Sequence, residues 1–175
     1  MTRRRDLLLL SVLSPVLAGC GKEPEATKAL RALGVTYALP KSWTHEDAED
    51  KGAVFMLSPE VSGGVAATAM IELPKERNPQ EIPRLLRDRS SELRQRHLDY
   101  KELRLDANVK IGPNFLGVLE YAATNKKVPL TEQYMLLRLG KNSTLLVFTS
   151  IATDVRSEYL TAVQELLASI RVATQ

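Results

Sequence analysis

Along the chain, apolar residues fall into patterns that change period several times. "VTYALPKSW" places Val35, Tyr37 and Leu39 at every second position and stops at Pro40, the signature of a strand with one buried face. A charged loop from His45 to Gly52 follows, then two apolar runs, "AVFML" and "VAATAMIEL", separated by Ser58-Pro59 and Gly63-Gly64. Turn-forming residues between two such runs predict a hairpin. The second run is apolar at nearly every position, which predicts a central strand with material packed on both faces.

The period then lengthens. Asn78 supplies a cap, Pro79 suits the first helical position and Glu81 completes a capping-box arrangement, so a helix is predicted to open here. Ile82, Leu86, Leu93 and His97, with Leu85 beside them, trace its apolar stripe. The opposite face carries Arg84, Arg87, Asp88, Arg89, Glu92, Arg94 and Arg96; Arg84 with Asp88, and Glu92 with Arg96, are spaced for pairing one turn apart.

Four strand-like runs come next: "YKELRLDANVKI", "FLGVLEYAAT", "LTEQYMLLRL" and "STLLVFTSI". Gly112-Pro113-Asn114, the stretch 125–129 and Gly140-Lys141-Asn142 separate them. Such short connections imply an antiparallel meander, because a parallel crossover needs about a dozen residues or more. A last helix is predicted from Asp154 to Ser169, with Val155, Tyr159, Val163, Leu166 and Ile170 on its apolar side. Many strands with two long helices make an α+β domain, mainly an antiparallel sheet flanked by helices.

The amino-terminal segment has a different logic. Arg3, Arg4 and Arg5 precede a charge-free run from Leu7 to Ala18, the layout of an export signal. That run spans ~18 Å as a helix against a ~30 Å hydrocarbon core, too short for a permanent membrane span. Leu17-Ala18-Gly19-Cys20 resembles the lipobox of bacterial lipoproteins, and Cys20 is the sole cysteine. The resemblance implies a thioether from Cys20 to diacylglycerol, cleavage after Gly19 and acylation, as with palmitate, of the new amino terminus. Small neighbours at Ala18, Gly19 and Gly21 leave the thiol and the scissile bond uncovered. Several acyl chains at ~0.8 kcal/mol per buried methylene hold a protein where one is marginal. The competing explanation is a stray buried cysteine in an ordinary leader.

"RRRDLL" resembles a twin-arginine export signal, with Leu7 where an aromatic is usual; a plain basic start is the alternative. Gly21, where inner-membrane lipoproteins usually carry Asp, implies by the same resemblance an outer-membrane protein facing the periplasm. The chain thus divides into a signal peptide (1–19), a lipidated terminus and tether (20–33) and a folded domain (34–175). Gly21 to Lys28 reads as polar tether, with Leu30 and Leu33 beginning the packed part.

Composition sharpens this. Loss of residues 1–19 removes three arginines and one aspartate, so 24 basic and 21 acidic residues become 21 and 20, nearly neutral. A near-neutral exported chain is a poor nucleic-acid binder. With Cys20 consumed there is no disulfide framework, and the core alone must hold the fold.

Candidate chemistry is sparse. "HEDAED" groups His45 with four carboxylates but lacks the spacing of an EF-hand or zinc motif, so it reads as a solvated loop. His97, on the helical stripe, reads as a histidine at the core edge. No G-x-S-x-G elbow is present, and Gly63-Gly64 lacks the residues of a phosphate cradle. Tyr37, Tyr121 and Tyr134 are candidates to line a groove on the sheet. No catalytic, cofactor or metal residue is assigned.

The "VTYALPKSW" opening, two early strands, long helix, four-strand meander and closing helix running into "SIRV" together resemble the PsbP-like α/β/α sandwich of DcrB-type bacterial lipoproteins, from Val35 to Val172. That resemblance implies a membrane-anchored, non-enzymatic protein-interaction or envelope-maintenance module with a protein partner. A toxin-neutralising or secretion-associated lipoprotein is a special case of it. A small-ligand binder or weak hydrolase, using a groove between sheet and helix, is the alternative from another class.

Overall fold

The computed structural model describes residues 24–46, 52–61, 64–125, 128–139 and 142–173. Cys20 and the preceding Leu17, Ala18 and Gly19 lie outside the described residues, as do Asp47 to Lys51 of the acidic loop. The described residues begin with helix α1 (Glu25–Ala32), followed by strands β1 (Val35–Thr36), β2 (Thr44–Glu46) and β3 (Ala53–Leu57). A small ladder of β4 (Glu60–Val61) and β5 (Gly64–Val65) leads to β6 (Ala67–Glu72) and β7 (Lys75–Glu76). Helix α2 (Ile82–Arg96) precedes the meander β8 (Lys101–Ile111), β9 (Asn114–Asn125), β10 (Val128–Leu139) and β11 (Ser143–Ala152). Helix α3 (Arg156–Ser169) and β12 (Arg171–Val172) close the fold.

The main sheet has the order β2-β3-β6-β11-β10-β9-β8, with β7 also paired to β11. Every pairing is antiparallel. The α+β class and the meander are as the sequence predicts. The predicted hairpin is also present: β3 pairs with β6, and Ser58 clamps its turn by accepting on Oγ from the Ala67 amide at 3.0 Å.

Alternation on the strands splits the core in two. On one face, Val54, Met56, Ala69, Ile71, Val147 and Met135 pack beneath α1 and α3, which bury Leu30, Val163 and Leu166, and beneath Ile170 just past the end of α3. On the other, Leu119, Tyr121, Ala123 and Leu136 pack against Ile82, Leu86 and Leu93 of α2. Ser90 of α2 donates to Glu102 of β8 at 2.6 Å and lies 2.8 Å from the Tyr100 hydroxyl, pinning the helix to that edge.

Four local expectations change. The segment read as tether up to Lys28 is helical from Glu25, because Ala26, Thr27 and Leu30 find a buried seat on the sheet that no isolated helix has. Leu33, expected to begin the packed part, is 52% exposed. Of the predicted first strand, Val35 and Thr36 form a ladder with β12, although Tyr37 and Leu39 do pack on the same core. Asn78 caps as predicted, accepting from the Gln80 amide at 3.0 Å, but it opens a short 3₁₀ turn, and Glu81 closes no box because it pairs with Arg84 at 2.9 Å.

Candidate interaction surface

The groups with the most chemical potential are kept apart. His45 Nε2 lies 3.0 Å from the Tyr37 hydroxyl, itself 3.1 Å from Thr27 Oγ1, on the α1 side of the molecule. His97 sits at the far end of α2 as its last cap, in extended backbone, half-buried and off the helical stripe. Among the described residues no cluster of three or more histidine, cysteine or acidic side chains is placed to hold a metal. The three candidate tyrosines also part company. Tyr121 is buried under α2 with its ring centroid 5.5 Å from that of Tyr100, Tyr37 faces α1, and Tyr134 borders an open groove.

The arginine-rich face of α2 is largely self-neutralised. Arg89 and Arg96 both pair with Glu92, and Arg84 reaches back to Glu81 rather than forward to Asp88. The hydrogen bond and charge of Arg89 hold the Glu92 carboxyl below its usual range.

Two adjacent cross-strand rows define the surfaces that remain. The first runs Phe55, Met70, Phe148, Tyr134, Leu119, Leu105 across β3, β6, β11, β10, β9 and β8. Helix α2 covers the Leu119–Leu105 half. Phe55, Met70, Phe148, Tyr134 and Leu146 instead line an open groove of about 370 Å³, walled on the helix side by Arg89, whose guanidinium lies 5.5 Å from the Tyr134 ring centroid. Strand β6 is therefore central, as predicted, but packed on one face: Ala67, Ala69 and Ile71 are buried while Thr68, Met70 and Glu72 are partly open. The sequence pattern reports the apolar character of both faces and not what covers each.

The second row, on the opposite face, is Met56, Ala69, Thr149, Gln133, Glu120, Arg104. Its middle is polar and buried. Gln133 Nε2 donates to Glu120 Oε2 at 2.9 Å, and Thr149 Oγ1 donates to Gln133 Oε1 at 3.4 Å. A cavity of about 240 Å³ lies between this row and Leu160, Val163, Gln164 and Leu167 of α3, and it matches the groove between sheet and helix that the ligand-binding alternative requires. Its amide and carboxylate bond to one another, so the polar row first satisfies itself. The polar residues in "LEYAAT" and "LTEQYM" give no sign of it, because Glu120 and Gln133 meet only through strand register.

At the sequence level the chain matches neither a family profile nor any curated protein. Solved structures do resemble it. LpqN of Mycobacterium tuberculosis, described as involved in cell envelope biogenesis, is 10% identical with a TM-score of 0.58 over 80% of this chain and 83% of that one. CyanoP, the PsbP protein of Synechocystis sp. PCC 6803, is 11% identical with a TM-score of 0.56 over 81% of this chain and 88% of that one. The T6SS immunity protein TplEi of Pseudomonas aeruginosa, solved with "L" peptide, is 15% identical with a TM-score of 0.50 over 86% of this chain. The chain spans 63% of TplEi and 46% of a matched Bacteroides thetaiotaomicron protein. At these identities the likeness is one of fold, and the fold is an α+β antiparallel sandwich of the PsbP-like kind.

Proposed function

We propose that this chain is a lipid-anchored protein of the bacterial envelope, facing the periplasm, that works by holding another protein and not by catalysis. The observation that carries this reading is the uncovered half of the α2 face. Strands β3, β6 and β11 at ~4.8 Å spacing span ~10 Å between the outer two, about the width of one helix. A row of Phe55, Met70 and Phe148 left partly open to water is unfavourable, since full burial of such a side chain is worth ~1.5–3 kcal/mol and covering the open part recovers a share of it. One further helix or extended segment from a partner fits that place.

The edges of the sheet offer less. β2 has three residues, and β8 is charged and carries two register shifts, both devices that discourage strand addition. LpqN is described as an envelope-biogenesis protein and TplEi as an immunity protein holding a peptide, which supports an interaction role here and keeps toxin neutralisation as its special case. The address rests on the lipobox-like Leu17-Ala18-Gly19-Cys20 and on the DcrB-type resemblance, with the signal peptide removed after Gly19 and the outer membrane as destination.

A benzophenone side chain placed at position 148 in cells, followed by mass spectrometry, tests the groove. We expect adducts to one protein that disappear with Phe55→Asp; adducts identical to those from a probe at exposed position 87 on α2 sink the reading. Fatty-acid labelling of wild type against Cys20→Ser tests the anchor. Retention of label and of membrane association by the substituted protein overturns it.

A further inference from the structure

Among the described residues six large apolar side chains are strongly exposed, and three of them gather at one end of the molecule. Phe115 (47% exposed) follows the β8–β9 turn, and Val172 (40%) lies in β12. Leu33 ends α1 and precedes Gly34, whose carbonyl accepts from the Ala173 amide at 2.8 Å beside Val172. Phe115 and Val172 line one open cleft of about 320 Å³ with Leu139, Arg138 and Arg171.

The charges that line the cleft and flank Phe115 are positive. Lys110 stands 5.8 Å from the Phe115 ring centroid. Arg138 donates to the Ala107 carbonyl at 3.3 Å, and Arg171 donates to the Ile170 carbonyl at 3.0 Å where α3 ends. These acceptors are neutral backbone oxygens that fix the direction of each guanidinium and leave its charge uncompensated. Among the described residues no carboxylate pairs with Lys110, Arg138 or Arg171. Nearby β7 contributes Glu76 and Lys75, the latter paired with Glu72 at 2.8 Å, so the three cations Lys110, Arg138 and Arg171 outnumber the acid left over. At the other end of the sheet exposed Leu98 and Val128 also stand near a cation, Lys101, but there Asp99, whose carboxyl bonds to Thr124, adds the opposite charge.

We propose that this end of the fold is a membrane-contact surface, in which Phe115, Leu33 and Val172 enter the interface of an anionic bilayer and Lys110, Arg138 and Arg171 meet its phosphates. An aromatic and two aliphatic side chains ringed by cations have the composition of interfacial anchors, and a surface cation contributes about fivefold in affinity next to anionic lipid. The geometry is compatible with the proposed anchor. α1 has eight residues, ~12 Å of helix, and its carboxyl-terminal end adjoins the patch. The four links from Cys20 to Pro24 reach at most ~14 Å, enough to return along that helix and bring the lipid and the patch to one plane. The surface then fixes orientation: with this end on the bilayer, the molecule is held in one attitude instead of swinging on its tether.

The patch is tested without the lipid. The chain from Gly21 onward, which contains every residue of the described fold, is sedimented with vesicles of phosphatidylcholine alone or with phosphatidylglycerol at about one lipid in three, a charge density at which surface cations contribute measurably. Binding to the anionic vesicles at least tenfold tighter than to the neutral ones is expected, weakening with added salt. Lys110→Glu with Arg138→Glu is expected to lower it more than tenfold, and Phe115→Ser about fivefold, with unchanged thermal melting. Equal binding to both vesicle types, no binding to either, or variants that bind like wild type overturns the proposal. Because the lipid is absent and the groove lies elsewhere, such a failure leaves the anchor and the docking groove to their own tests.

Discussion

Gly117 of β9 lies directly beneath Ile82 of α2. A Cβ added at Gly117 falls inside van der Waals contact with Ile82 Cγ2 and 2.9 Å from Leu86 Cδ1. Both are fully buried side chains in the middle of the α2 core. The absence of a side chain at position 117 lets the helix approach the β8–β9 half of the sheet closely. Gly117→Ala is expected to destabilise the fold by ~1–3 kcal/mol through overpacking, lowering the melting temperature by several degrees. A variant that melts with wild type shows that α2 has room to rise, and the close seat is then not what sets its position.

Substitutions can separate a docking surface from a core. Leu136 is fully buried under α2, whereas Phe148 is partly open. Leu136→Ala is expected to cost ~2–5 kcal/mol. Phe148→Ser, with one face already partly in water, is expected to cost ~1 kcal/mol or less while abolishing the crosslinks formed by a benzophenone side chain placed at position 55. Urea unfolding of both variants checks this, and a Phe148→Ser cost equal to that of Leu136→Ala marks the groove as ordinary core.

Period and turn chemistry made most of the architecture legible. The meander followed from turns at Gly112 and at 140–142, and α3 from Tyr159, Val163, Leu166 and Ile170. What stayed hidden depends on register or on neighbours. Alternation in β6 marks Met70 as apolar without saying that α2 stops short of it. The cationic end was unreadable because Lys110, Arg138 and Arg171 belong to three separate elements that meet in space. Helix α1 was missed for the same reason: its stability comes from the seat beneath Leu30 and not from its own eight residues.

The buried polar row makes a sharp test of what Gln133 does. It spans from Glu120 on β9 to Thr149 on β11, using both ends of its amide. Gln133→Leu removes the donor that faces Glu120 and the acceptor that faces Thr149. The expected loss is ~1–3 kcal/mol, because Glu120 and Thr149 each lose a hydrogen bond in a buried place. Chemical denaturation of Gln133→Leu, alone and with Thr149→Val, measures the coupling. Strictly additive losses contradict a shared network.

Two tyrosines set the alkaline limit. Burial pushes the Tyr121 hydroxyl far above its ordinary range, reinforced by its hydrogen bond to Glu132, and burial also raises Tyr100. A folded pKa above the unfolded value means that the native state holds its proton more tightly. The stability from this effect is complete below about pH 10, and it declines as pH rises further and the unfolded chain ionises first. Tyr121→Phe removes that dependence at the cost of one hydrogen bond, ~1 kcal/mol near neutrality. Melting temperatures of the two proteins, followed from neutral pH upward, are expected to differ at pH 8 and to converge above about pH 10, where Tyr121 ionises in the unfolded wild-type chain and has no counterpart in the variant. Curves that stay parallel through that range mean the Tyr121 hydroxyl is not held protonated by the fold, and the tight packing of its ring against Tyr100 under α2 must then be looser than the buried contact implies.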